Sequence, residues 1–176
     1  GGVYISLYED TTQSVKIKKG AEVVTKAAHD MSADVLIIEM GSNGGWDDYD
    51  ELISQYKAMI ANSGTQCYII IGDTDNPDEA IDSENYNSSK EVGLNDTLWE
   101  AALREAFGDH FINMRTYLMQ NALDITGKEA NETDIENLLD GRIPDSIKYD
   151  YTHLNGYGYY AYGVGVYEKG VELGYW

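Results

Sequence analysis

Apolar and polar positions alternate along this chain with two periods, and the switch between them predicts its elements. Val3–Tyr8 alternates weakly and reads as a short strand. Gly20–Met31 carries Ala21, Val24, Ala27 and Ala28 on one face and reads as a helix. Ala33–Met40 contains the continuous run Val35-Leu36-Ile37-Ile38, the pattern of a strand buried on both faces. Asp47 and Asp48 then open a helix to about Asn62, since acidic groups favour its positive end. Leu52, Ile53, Tyr56, Met59 and Ile60 form its apolar stripe. Cys67–Ile71 is a second buried strand, followed by a polar surface stretch from Asp73 to Asn95 with room for a short helix. Asp96–Phe107 reads as a helix facing inward through Leu98, Ala102, Leu103 and Phe107. His110–Met114 is a short strand, Tyr117–Leu123 and Thr133–Leu139 are helices, and Pro144 marks a break. Leu154–Leu173 has helical apolar spacing despite five glycines, which weaken helices.

Strands alternating with helices imply βαβ units and a parallel sheet, hence an α/β fold. Sites in such sheets form beyond the carboxyl ends of the strands. Asn43, Asp73 and the loop after Met114 lie at such ends. At 176 residues the chain is expected to form one domain, residues 1–176, with a sizeable core.

Charge narrows the partners. A formal net charge of −19 argues against nucleic acid and against an anionic membrane, both of which need clustered Lys and Arg. No run approaches a membrane-spanning length. The acidic surface fits a neutral substrate and a secreted or cell-surface protein. The single Cys67 is expected to be a reduced, buried strand residue, and one Cys forms no internal disulfide. Asp73–Glu84 offers oxygen ligands for Ca²⁺, but its spacing fits no known loop and a solvated face is the simpler reading. Asn87-Ser88-Ser89, Asn95-Asp96-Thr97 and Asn131-Glu132-Thr133 match the N-glycosylation pattern, which matters only on a eukaryotic secretory route.

Chemistry concentrates in two short stretches. Asp150-Tyr151-Thr152-His153 can place a carboxylate and an imidazole in one loop. There, His153 would be a general base and Asp150 would orient it. The plainer alternative is that Asp150 caps the terminal helix and His153 is an ordinary histidine. Upstream, Met40-Gly41-Ser42-Asn43-Gly44-Gly45-Trp46 closes a buried strand. Asn43 could donate to a developing oxyanion, with Gly41 letting backbone come close. Alternatively, the turn needs Gly and Asn for positive φ.

Together these stretches resemble the SGNH (GDSL-type) hydrolase family. That family's third block, G-x-N-D, is matched by Gly41-Ser42-Asn43-Gly44, with Gly in place of Asp. Its fifth block, D-x-x-H, often followed by Leu-Asn and Gly, is matched by Asp150-Tyr151-Thr152-His153-Leu154-Asn155-Gly156, about a hundred residues later. Ile112-Asn113-Met114-Arg115 is similar to the segment before the family's variable region. The resemblance implies a three-layer α/β/α sandwich with a parallel, flavodoxin-like sheet. It also implies ester hydrolysis with Asn43 as oxyanion donor, Asp150 as orienting acid and His153 as base, and neither metal nor organic cofactor.

One block is missing. The family's G-D-S, which supplies the nucleophilic Ser, has no match, and Gly20 is a weak match for the second-block Gly. Gly72-Asp73-Thr74 mimics G-D-S with Thr74, but follows Asn43 in sequence instead of preceding it. Ser6 and Ser14 lack a helix-start context, and Ser42 would point away from Asn43 if the strand alternates. In the family's strand order the nucleophile strand is interior. Without it, strands about 4.8 Å apart would leave a gap of roughly 10 Å. The unpaired groups there would each cost about 1–3 kcal/mol. A companion N-terminal segment of the same protein, carrying G-D-S, is therefore expected.

The sequence thus predicts an SGNH-type esterase acting on a small-molecule or carbohydrate ester. Trp46, Tyr149, Tyr151, Tyr157, Tyr159 and Tyr160 could stack on sugar faces or simply pack a core. An alternative is a non-catalytic SGNH-like domain that binds glycans. A third, a flavodoxin-like regulatory domain, places Asp150 and His153 far from Asn43.

Overall fold

The computed structural model describes residues 19–20, 33–74 and 87–176. The chain divides into two compact units at Met31 and Ser32, and every element below belongs to the unit Ser32–Trp176. The strand expected at Val3–Tyr8 and the helix expected after Gly20 lie outside the described residues, as does most of the acidic stretch after Thr74.

Three parallel strands form a small sheet in the order β1-β2-β3: β1 (Leu36–Ile38), β2 (Tyr68–Ile71) and β3 (Phe111–Ile112). Ile37 aligns with Ile69, and Ile70 with Phe111. Helices flank the sheet: α1 (Tyr49–Ser63), α2 (Ser89–Val92), α3 (Leu98–Phe107), α4 (Met114–Thr126), α5 (Glu132–Leu139) and α6 (Gly156–Glu172). The chain is therefore α/β with a parallel sheet, as its periodicities predict.

Successive strand residues face opposite ways, which separates two cores. Ile38 and Ile70 pack with Leu52 and Tyr56 of α1 and with Trp99, Leu103 and Phe107 of α3. Ile69 and Ile71 pack with Leu118 and Ala122 of α4 and Ala161 of α6.

Local chemistry sets the helix ends. Asp48 caps α1 by accepting from Glu51 N, and Gly64 ends it in the left-handed region. Thr97 and Glu100 form a capping box at α3. That cap places Leu98 at the first helical position, where it is exposed, and Trp99 takes the inward place expected of Leu98. Two further expectations are corrected. Ile37 is 46% exposed, so β1 is not buried on both faces. Cys67 is half-buried and precedes β2 instead of lying inside it.

The loops around α3 and α5 hang on one side chain. Arg115 is buried and forms a two-pronged pair with Glu100, Nε–Oε1 and Nη2–Oε2 both at 2.7 Å. It also donates to the carbonyls of Gly93, Asn95 and Gly141. Removing one partner of such a buried pair costs about 3–5 kcal/mol, because the other charge is stranded. The Arg115 that follows β3 is thus a structural clamp.

Candidate functional site

The loop carrying Asp150 and His153 is a closed hairpin turn between Ile147 and Asn155. Lys148 and Leu154 form an antiparallel bridge. Tyr149 N donates to His153 O at 2.8 Å, and Asn155 N donates to Ile147 O at 2.9 Å. Leu154 is buried and anchors the turn in the α4–α6 core. Asn155 holds the other side. Its amide nitrogen donates to Ser146 O and Lys148 O, and its amide oxygen caps α6 by accepting from Tyr157 N and Gly158 N. The Leu-Asn pair after His153 therefore fixes the turn to the helix behind it.

Asp150 does not cap α6; Asn155 does. Asp150 instead organises its own turn. Its Oδ1 accepts from Thr152 N at 2.9 Å and from His153 N at 2.7 Å. The His153 ring meets both carboxylate oxygens through Nδ1 at 2.9 Å. These bonds, led by the backbone N–H and ring of His153, hold the Asp150 carboxyl down at about 2. Beside a carboxylate, Nδ1 is the donor, which in the neutral ring leaves the lone pair on Nε2. The other described histidine, His110, is committed elsewhere. It stacks on Tyr68 and its Nδ1 contacts Tyr68 O and the Tyr175 hydroxyl.

The turn after β1 is pinned from three sides. The Tyr56 hydroxyl accepts from Met40 N and donates to Met40 O. Trp46 Nε1 donates to Gly41 O at 2.9 Å, and so does Gly44 N. Gly41 has φ +117° and is buried against Trp99, where an added Cβ would lie 2.7 Å from Cζ2. Only glycine meets both demands. Gly41, Gly44 and Gly45 all take positive φ, whereas no described non-glycine residue does. Asn43 is thus not present for left-handed backbone. Its exposed side-chain amide makes no hydrogen bond to the described residues.

These two turns meet. A cleft of about 300 Å³ is lined by Glu39, Ser42, Asn43, Asp73, Thr74, Thr152, His153, Leu154, Tyr159 and Tyr162. It lies beyond the carboxyl ends of β1 and β2. Asn43, Thr74 and His153 share it, contrary to the reading that set His153 far from Asn43. Ser42 lines it beside Asn43, because β1 ends at Ile38 and strand alternation no longer applies four residues later. Tyr149, Tyr151, Tyr157 and Tyr160 are exposed outside the lining. Sequence reasoning missed Glu39 and Tyr162. Tyr162 of α6 donates its hydroxyl to Glu39 Oε2 at 2.8 Å. Burial raises the Tyr162 pKa, and the neighbouring Glu39 charge pushes the same way. The only sequence signal for Glu39 is its place as a charged residue directly after an apolar strand.

Among the described residues no group of three or more His, Cys, Asp or Glu is arranged to hold a metal ion. No described helix is long and apolar enough to cross a membrane. Comparison with known proteins adds no identity: no protein-family model, curated protein or solved structure matches the chain.

Proposed function

We propose that this chain carries the base, orienting acid and oxyanion donor of an SGNH-type ester hydrolase, within the flavodoxin-like sandwich that its resemblance implies. The observation that supports this most is the shared cleft of Asn43 and an Asp150-bound His153. In the proposed reaction a serine hydroxyl attacks the ester carbonyl while His153 Nε2 takes its proton. The imidazolium that forms is stabilised by Asp150. The carbonyl oxygen becomes an oxyanion that accepts from the Asn43 amide. Collapse expels the alcohol, which takes the proton back from His153. Water then repeats the sequence and releases the acid. Neither a metal nor an organic cofactor has a role in these steps.

The serine is assigned to a Gly-Asp-Ser segment of the same protein outside this sequence, since none occurs within it. Ser42, Thr74 and Thr152 are the aliphatic hydroxyl residues of the cleft among the described residues. Reaction of the natural full-length polypeptide with a fluorophosphonate, followed by peptide mass mapping, tests this. A label on the Ser of a Gly-Asp-Ser segment is expected. A label on Ser42, Thr74 or Thr152 would move the nucleophile into this chain. No label at all would refute covalent catalysis and favour a glycan-binding domain. An O-acylated carbohydrate is the proposed substrate, on the family resemblance and on the exposed Tyr159 ring in the cleft.

A further inference from the structure

Glu39 is a charged group in the cleft lining for which ester hydrolysis as proposed has no use. It extends from the carboxyl end of β1 across to α6. Tyr162 fixes one of its oxygens, Oε2, from 123 positions along the chain. The other, Oε1, has no partner among the described residues. Among the described residues the lining holds no Lys or Arg. The cleft walls withdraw water from this carboxylate and raise its pKa; Asp73 adds to the rise and the Tyr162 bond opposes it. A carboxylate with one oxygen anchored and one open to solvent is a preoriented acceptor, whose open oxygen can exchange a water donor for a ligand hydroxyl.

The class of ligand follows from the surroundings. An anion would face Glu39 and a net charge of −19. A bare cation would need several converging ligands, and no such group is found among the described residues. A neutral hydroxyl needs one acceptor, which Oε1 provides. The ring of Tyr159, 58% exposed, lies in the same lining and offers an apolar face to a saturated ring.

We propose that Glu39 is the specificity-determining residue of this cleft, selecting a neutral polyhydroxyl ligand by accepting a hydroxyl at Oε1, with Tyr162 as its positioning residue. This rests on the cleft being the substrate site, and its test reads binding, not turnover. The full-length protein is titrated with methyl β-glucoside, methyl β-glucuronide and methylammonium while NMR follows the Asn43 side-chain amide and the His153 ring. The glucoside is expected to shift both signals saturably. Glu39→Ala should weaken it about tenfold, the scale of one charge-assisted hydrogen bond. Glu39→Gln, which keeps a carbonyl acceptor, should stay within about threefold of wild type. The glucuronide should bind about tenfold more weakly than the glucoside in wild type, and that gap should narrow in Glu39→Gln. Tyr162→Phe should weaken the glucoside less than Glu39→Ala does. Unchanged glucoside affinity in Glu39→Ala, preference for the glucuronide or methylammonium, or no saturable shift would each overturn the proposal. Amide dispersion reports folding, and Glu39→Gln keeps the test decisive if Glu39→Ala unfolds. Glu39-dependent binding without ester hydrolysis would refute the proposed function alone; hydrolysis indifferent to Glu39 would refute this inference alone.

Discussion

Asp150 commits its exposed carboxylate to the turn that carries His153. Both oxygens meet the imidazole, and Oδ1 also takes two backbone N–H groups. Its folded pKa, about 2, lies below the ordinary 3.8. The contact is therefore fully present above pH 3.8 and is lost as pH falls through about 2. Asp150→Asn keeps an acceptor for the backbone but loses the charge that stabilises an imidazolium. In the full-length protein kcat/KM for a neutral acetyl ester should fall on the order of 10³- to 10⁴-fold. Far-ultraviolet circular dichroism should stay unchanged, because the residue is exposed. A loss of less than about threefold would show that Asp150 shapes the loop and nothing more. At this scale the sequence singled out Asp150, His153 and Asn43 by type and spacing, and the structure places His153 on the Asp150 carboxylate and in one cleft with Asn43. The sequence was not legible for Glu39, whose role depends on Tyr162 reaching it across 123 positions.

At the scale of elements, α6 looks too rich in glycine to be a helix, and its packing explains why it is one. A Cβ on Gly165 would lie 2.6 Å from Tyr117 Cε1, and the Tyr117 hydroxyl is itself bonded to Glu168. Gly158 and Gly170 would meet Ile147 O and the Trp176 ring. These glycines let α6 approach α4, the hairpin and the C-terminus closely. Gly163 has open space around it. Gly163→Ala should therefore stabilise the fold by about 0.5–1 kcal/mol through helix propensity. Gly165→Ala should destabilise it by about 1–3 kcal/mol through overpacking. Urea midpoints of the two variants check the sign of each; equal shifts would refute the packing argument. Periodicity located α1, α3, α4, α5 and α6 within a few residues. It failed at Leu98, where the Thr97 cap shifted the helical phase, and at Ile37, where an apolar run implied more burial than the strand has.

At the scale of the molecule, the order of the strands is what brings distant residues together. With β1 beside β2, the turns after both open on the same side, and α6 carries the His153 hairpin back over them. That juxtaposition was legible only as a consequence of the parallel sheet, because Asn43 and His153 share no local pattern. The central claim is that their common cleft performs acyl transfer with His153 as the base. The most direct measurement is the turnover of a neutral acetyl ester by the full-length protein, with and without His153→Ala. The expected result is measurable hydrolysis that falls by at least about 10³-fold in a variant that still folds. Near-normal turnover in His153→Ala, or no hydrolysis by the unmodified protein, would contradict it.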